Sequence, residues 1–146
     1  MKKLVLFASL LLLVAFSARA EGGWLTDHAK ALEKAKTENK PLVMNFTGSD
    51  WCSWCIKLEK EVFATSPFKS YAEKNLVLLK LDFPRRHALP AAEQKQNEAL
   101  AEKYGIRGFP TIVVLNSEGD QIGQLGYRPG GPKAWIAELE KATKKP

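Results

Sequence analysis

Cysteine and histidine are the scarce residues of this 146-residue chain, which has two of each. Both cysteines fall in Trp51-Cys52-Ser53-Trp54-Cys55. A Cys2His2 zinc site would have to recruit His28 and His87, and neither stands at finger spacing. Covalent haem attachment needs a histidine after the second cysteine, where position 56 is isoleucine. A structural staple across so short a loop would restrict the unfolded chain by only about 2 kcal/mol. Methionine is sparse as well, with Met44 alone beyond Met1, so a thioether-rich copper site is lacking. The chain has no internal repeats, and no low-complexity tract beyond its apolar start. Its basic clusters, Arg85-Arg86 and the terminal Lys141, Lys144 and Lys145, are not interleaved with aromatics as a nucleic-acid surface would be. No nucleic-acid partner is expected.

What is present begins with an export signal. Lys2-Lys3 precede an almost unbroken apolar run from Leu4 to Phe16, and Ser17-Ala18-Arg19-Ala20 offers the small residues of a cleavage site. The run is short for a bilayer span and is closed by charge at Arg19 and Glu21. No cysteine follows it to carry a lipid. The expectation is a cleavable signal over residues 1–20, cut near Ala20, and a single domain over residues 21–146 without a stable membrane anchor. Export to a periplasmic or extracellular space would permit a disulfide to persist. Without Lys2, Lys3 and Arg19 the formal charge falls from +6 to +3, a balance that selects no partner.

Apolar periodicity then lays out the elements. Thr26 or Asp27 caps a helix reaching about Asn39, with Leu25, Ala29, Leu32 and Ala35 on one stripe. Leu42 to Thr47 reads as a buried strand, and Gly48-Ser49-Asp50 as the turn that delivers Cys52 to a helix running to about Phe63. A short helical segment follows from Ser66-Pro67 to Ala72, and then a strand from Asn75 to Phe83. Pro84 to Pro90 is a loop, Ala91 to Tyr104 a polar helix, and Gly105 its stop. Thr111–Leu115 and Gln121–Leu125 form a hairpin, and Lys133 to Lys141 a last helix. An α/β fold follows, a mixed four-stranded sheet with helices on both faces, its early strands parallel and its last two antiparallel.

Three segments in this order resemble the thioredoxin superfamily over nearly all of residues 21–146. They are Trp51-Cys52-Ser53-Trp54-Cys55 after a buried strand, Lys103-Tyr104-Gly105-Ile106-Arg107-Gly108-Phe109-Pro110-Thr111 about fifty residues later, and a hairpin ending at Gly126. The Phe46–Cys52 stretch and Ile56-Lys57-Leu58-Glu59 are similar to the exported, thioredoxin-like branch with its periplasmic disulfide reductases. The resemblance implies a thioredoxin-like fold, a redox-active Cys52–Cys55 disulfide, and a cis Phe109–Pro110 bond facing it. It also implies substrate contact at Phe109 and Pro110, and a shielding role for Trp51. Departures are as informative. Ser53-Trp54 replaces Gly-Pro between the cysteines, no first strand is evident, and Asn45 stands near the place of the family's buried aspartate, where it cannot titrate. Asp50 is a possible substitute, although turn composition reads it as solvated. Lys80 aligns roughly with a buried family lysine, or else snorkels to water. His87 reads as a surface loop residue.

Disulfide exchange needs a thiolate that is accessible. Cys52 at a helix start meets that need through the unpaired N–H groups and the positive dipole end, and Cys55, one turn deeper, becomes the resolving thiol. Trp54 either offers substrate an apolar contact or folds over to cover core. The expected activity is a thiol–disulfide oxidoreductase acting on protein disulfides, without metal or other cofactor, a monomer served by a membrane or periplasmic electron donor. Reductase, oxidase and isomerase remain alternatives. The alternative from another class is a periplasmic Cu(I) chaperone using the same two thiolates.

Overall fold

Strand alternation sorts the sheet into two faces. Along Leu42–Thr47, Val43, Asn45 and Thr47 point one way and Leu42, Met44 and Phe46 the other, and all six are buried. A strand buried on both sides must be covered by helices on both sides. The computed structural model describes residues 23–144. The signal expected over residues 1–20 lies outside them, so the domain division stays a reading of the sequence.

The elements run β1 (Trp24–Leu25), α1 (His28–Glu38), β2 (Leu42–Thr47), α2 (Ser53–Leu58), a π-helical turn (Glu59–Phe63) and α3 (Ser66–Asn75). Then come β3 (Val77–Asp82), α4 (Ala91–Lys103), β4 (Thr111–Leu115), β5 (Gln121–Leu125) and α5 (Gly131–Thr143). The sheet order is β1-β3-β2-β4-β5. β1, β3 and β2 are parallel, β4 is antiparallel to β2, and β5 to β4. The face carrying Val43, Leu78 and Ile112 packs on Leu58, Val62 and Phe63 from the α2 side and on Trp135 and Leu139 of α5. The opposite face, with Met44, Phe46 and Leu79, packs on Ala31 and Ala35 of α1 and Leu100 of α4.

The four-stranded expectation is corrected to five strands among the described residues. β1 is two residues long and joins the sheet edge through Trp24 beside Leu78 and Leu25 beside Leu79. A segment that short has no alternation to read, and only the presence of β3 makes it a strand. The helix expected from Cys52 to Phe63 is also divided. It changes to a π-helical turn at Glu59, a wider turn that buries the consecutive residues Val62 and Phe63 together. Asp27 supplies the α1 cap, its carboxylate accepting the Lys30 N–H at 3.0 Å. α3 runs on to Asn75, and α5 starts at Gly131, earlier than periodicity alone places it.

Candidate active site

The turn after β2 is closed by Gly48, whose carbonyl accepts the Cys52 N–H at 2.9 Å. Cys52 thereby becomes the residue capping α2, and its Sγ accepts the Cys55 N–H at 3.2 Å. That is the duty a serine or aspartate oxygen usually performs. Cys55 lies one turn along, its Sγ accepting the Gly48 N–H at 3.5 Å. The two are joined as a disulfide with their Cα atoms 5.2 Å apart. Cys52 is 7% exposed and Cys55 4%, so the capping residue is marginally the more open. A sulfur at the cap faces the free N–H groups and the positive dipole end of α2, and both favour negative charge.

Trp51 braces this turn against the rest of the fold. Its Nε1 donates to the Phe83 carbonyl at 2.7 Å, and the Arg85 guanidinium lies 3.5 Å above its ring. Phe109 meets it edge-on with centroids 5.8 Å apart. Gly48 has no side chain because that space holds the indole. Ser49 is held on its other side by buried Asp82, which accepts both its N–H, at 3.0 Å, and its hydroxyl.

Asp50 departs from the solvated turn residue that composition suggests. Its carboxylate accepts the Arg85 N–H at 3.0 Å and the Arg86 N–H at 2.8 Å, and faces His87 Nδ1 at 3.3 Å. The Arg85 N–H above all, then the Arg86 N–H and His87, hold its pKa below the ordinary carboxylate value. A carboxylate kept ionised this way ties the loop after β3 to the active-site turn and is a poor proton carrier. His87 is exposed, as a surface loop histidine would be.

The other residues read from the sequence fall at the same end of the sheet. The Phe109–Pro110 bond is cis, and it leads into Thr111, which pairs with Phe46 at the end of β2. Trp54 is 54% exposed, so it does not fold away to cover core. Asn45 is buried on the α2 face, with no partner for its Oδ1 among the described residues. Lys80 is beside it in register. Its charge acts on Glu59, whose pKa is raised because burial of the carboxyl outweighs the pull of Lys80 and Lys69. Sequence reasoning missed Glu59, Asp82, Arg85 and Tyr127 as neighbours of the site. Glu59 follows Cys55 by one helical turn and was legible in principle. The other three reach the site from separate elements and leave no mark in local pattern. Among the described residues no three His, Cys, Asp or Glu side chains gather as a metal site, and no helix is long and apolar enough to cross a membrane.

Comparison with known proteins agrees with this geometry. A family model described as a thioredoxin-like domain matches residues 28–143. Disulfide bond reductase DsbH of Chlamydia pneumoniae is 38% identical over 117 residues, covering 80% of this chain and 70% of that protein. Thioredoxin-related protein DsbJ of the same organism is 30% identical over 103 residues, and the match covers 70% of this chain but only 30% of DsbJ. The solved structure of a DsbH oxidoreductase superposes with a TM-score of 0.79 at 36% identity, covering 84% of this chain and 85% of that one.

Proposed function

This chain belongs to the thioredoxin-like family and is a thiol–disulfide oxidoreductase, and we propose that it works as a reductase of protein disulfides outside the cytoplasm. Cys52 is the nucleophile and Cys55 the resolving thiol. The observation that carries these roles is the placement of Cys52 Sγ at the α2 cap, where it accepts the Cys55 N–H, while Cys55 sits one turn deeper. The Cys52 thiolate attacks a substrate disulfide, forming a mixed disulfide and releasing one substrate sulfur as a thiolate, which takes up a proton. Cys55 loses its proton and attacks Cys52 Sγ, which releases the second substrate thiol and leaves the Cys52–Cys55 disulfide. Two electrons have passed from the dithiol to the substrate. A dithiol donor must return them before the next turnover, so a membrane or periplasmic electron-donor partner is part of the reading.

Trp54, Phe109 and Pro110 form the substrate side of the site. Trp51 supports it from behind, and Asn45 and Lys80 stand side by side on the sheet face that α2 covers. The reductase direction rests on the name of the DsbH relative, and export on Lys2-Lys3, the apolar run after them and the small residues before Glu21. The DsbH relative is by name a disulfide bond reductase, which gives the copper-chaperone alternative no support. Cys52→Ser should abolish insulin reduction, and Cys55→Ser should accumulate a mixed disulfide through Cys52. Equal alkylation of both thiols in the reduced protein at mildly acidic pH would refute the roles. Equilibration of the pair against glutathione sets the direction: a pair left mostly oxidised by glutathione supports the reductase, and one readily reduced by it supports an oxidase.

A further inference from the structure

Trp54 and Ile56 are the large apolar side chains most exposed among the described residues. Trp54 lies between the two cysteines, yet it is not loose. Trp54, Lys57 and Glu61 follow one another at helical spacing, three and four residues apart, and so make one stripe along α2 and the turn after it. Tyr127, in the segment after β5, lies against this stripe and also packs on the hydrophobic core. Its ring is 5.1 Å from that of Trp54 at an interplanar angle of 41°, and its hydroxyl donates to Glu61 Oε2 at 2.7 Å. The Lys57 ammonium is 5.3 Å from the Trp54 ring centroid and 5.2 Å from that of Tyr127. Its charge is matched by Glu61 Oε1 at 3.9 Å.

Resting on the reading of Cys52 as nucleophile, we propose that Tyr127 is a positioning residue that holds Trp54 as a platform for protein substrates. The platform takes an apolar side chain next to the cysteine under attack. Three features select that occupant. One face of the indole leans on Tyr127, while about half of the residue stays open to solvent beside the reactive pair. Lys57 and Glu61 cancel each other, so the platform has no net charge with which to choose an acidic or basic partner. An aromatic already fixed by its neighbour loses little freedom when it is covered, which is where a preorganised contact gains affinity. Ile56, two residues after Trp54, is exposed on another side of the helix and is no part of the platform. A small, polar disulfide such as oxidised glutathione has no apolar side chain to place there, so the device favours proteins over small disulfides.

The test compares kcat/KM for insulin with kcat/KM for oxidised glutathione in the full chain. Tyr127→Ala should lower the insulin-to-glutathione ratio about fivefold, mostly through a higher KM for insulin, because the substrate must then order the indole itself. Tyr127→Phe retains the ring contact and should recover most of the ratio. Trp54→Ala should lower the ratio as Tyr127→Ala does, and combining the two should add little, since both remove one platform. Trp54 is exposed, so its variant keeps the proposal testable even if Tyr127→Ala folds poorly. An unmoved ratio in either alanine variant, a phenylalanine variant as impaired as alanine, or multiplying effects would overturn the assignment. A parent protein that reduces no insulin would overturn the dithiol reading as well, whereas an active parent with an unmoved ratio overturns only the role of Tyr127.

Discussion

Replacing Gly48 with alanine would place a methyl carbon 2.6 Å from Nε1 and 2.7 Å from Cζ2 of Trp51, and closer still to Cε2. Carbon atoms in contact sit about 3.5–4.0 Å apart, so one group must move by roughly 1 Å. The indole cannot retreat freely, because its Nε1 is bonded to the Phe83 carbonyl, Arg85 covers one face and Phe109 meets its edge. Gly48 is not in the left-handed region of backbone space, so the penalty is steric rather than conformational. Overpacking costs about 1–3 kcal/mol, and loss of the indole hydrogen bond adds about 0.5–1.5 kcal/mol. The opposing term is the reduced freedom of the unfolded chain, which by itself would make alanine stabilising by about 0.4–1 kcal/mol. The net expectation is destabilisation by about 2–3 kcal/mol, a fall of about 1–2 M in the urea midpoint at a typical slope. Far-ultraviolet circular dichroism is the suitable probe, since tryptophan fluorescence would itself respond to the moved ring. In a Trp51→Ala background the same glycine replacement should cost under about 1 kcal/mol, because the clashing atoms are gone. Gly48→Ala as stable as the parent, or an equal penalty in both backgrounds, would refute the packing argument.

The remaining predictions concern the loop tie and the core packed under α5. Asp50 has a folded-state pKa below its ordinary value, so its contribution to stability is present above the usual carboxylate range and is lost as pH falls through the folded value. Asp50→Asn should therefore be less stable than the parent near neutral pH, with the gap closing as pH falls below the ordinary carboxylate range and through the lowered folded value. A gap in urea midpoint that does not change with pH would contradict this. Trp135 is fully buried, stacks edge-on against Phe63 and Phe68, and donates from Nε1 to the Gly126 carbonyl at 3.0 Å. Trp135→Ala should cost about 3–5 kcal/mol, read by urea unfolding, and Trp135→Phe should cost less while leaving the Gly126 carbonyl without that donor.

Sequence by itself determined the layered α/β fold and the reactive pair. The reason is that both are written locally. Buried strands such as Leu42–Thr47 are continuous apolar runs, helices carry their stripe within one segment, and Cys52 and Cys55 are separated by one helical turn. The segment from Lys103 to Thr111 was legible for the same reason, being a contiguous run of residues. Two-residue β1 was not, because its strand character comes from the edge of β3 and not from its own composition. The surroundings of the site were decided by tertiary structure alone. Asp50 reads as solvent-facing until the loop after β3 arrives with two N–H groups to fill its carboxylate. Gly48 reads as an ordinary turn glycine until Trp51 occupies the volume of its absent side chain. Tyr127 stands 73 residues from Trp54 in the sequence, and only the parallel crossover and final hairpin bring their rings together. Periodicity describes which face of an element is apolar, but it contains no information about which distant side chain will be pressed against it.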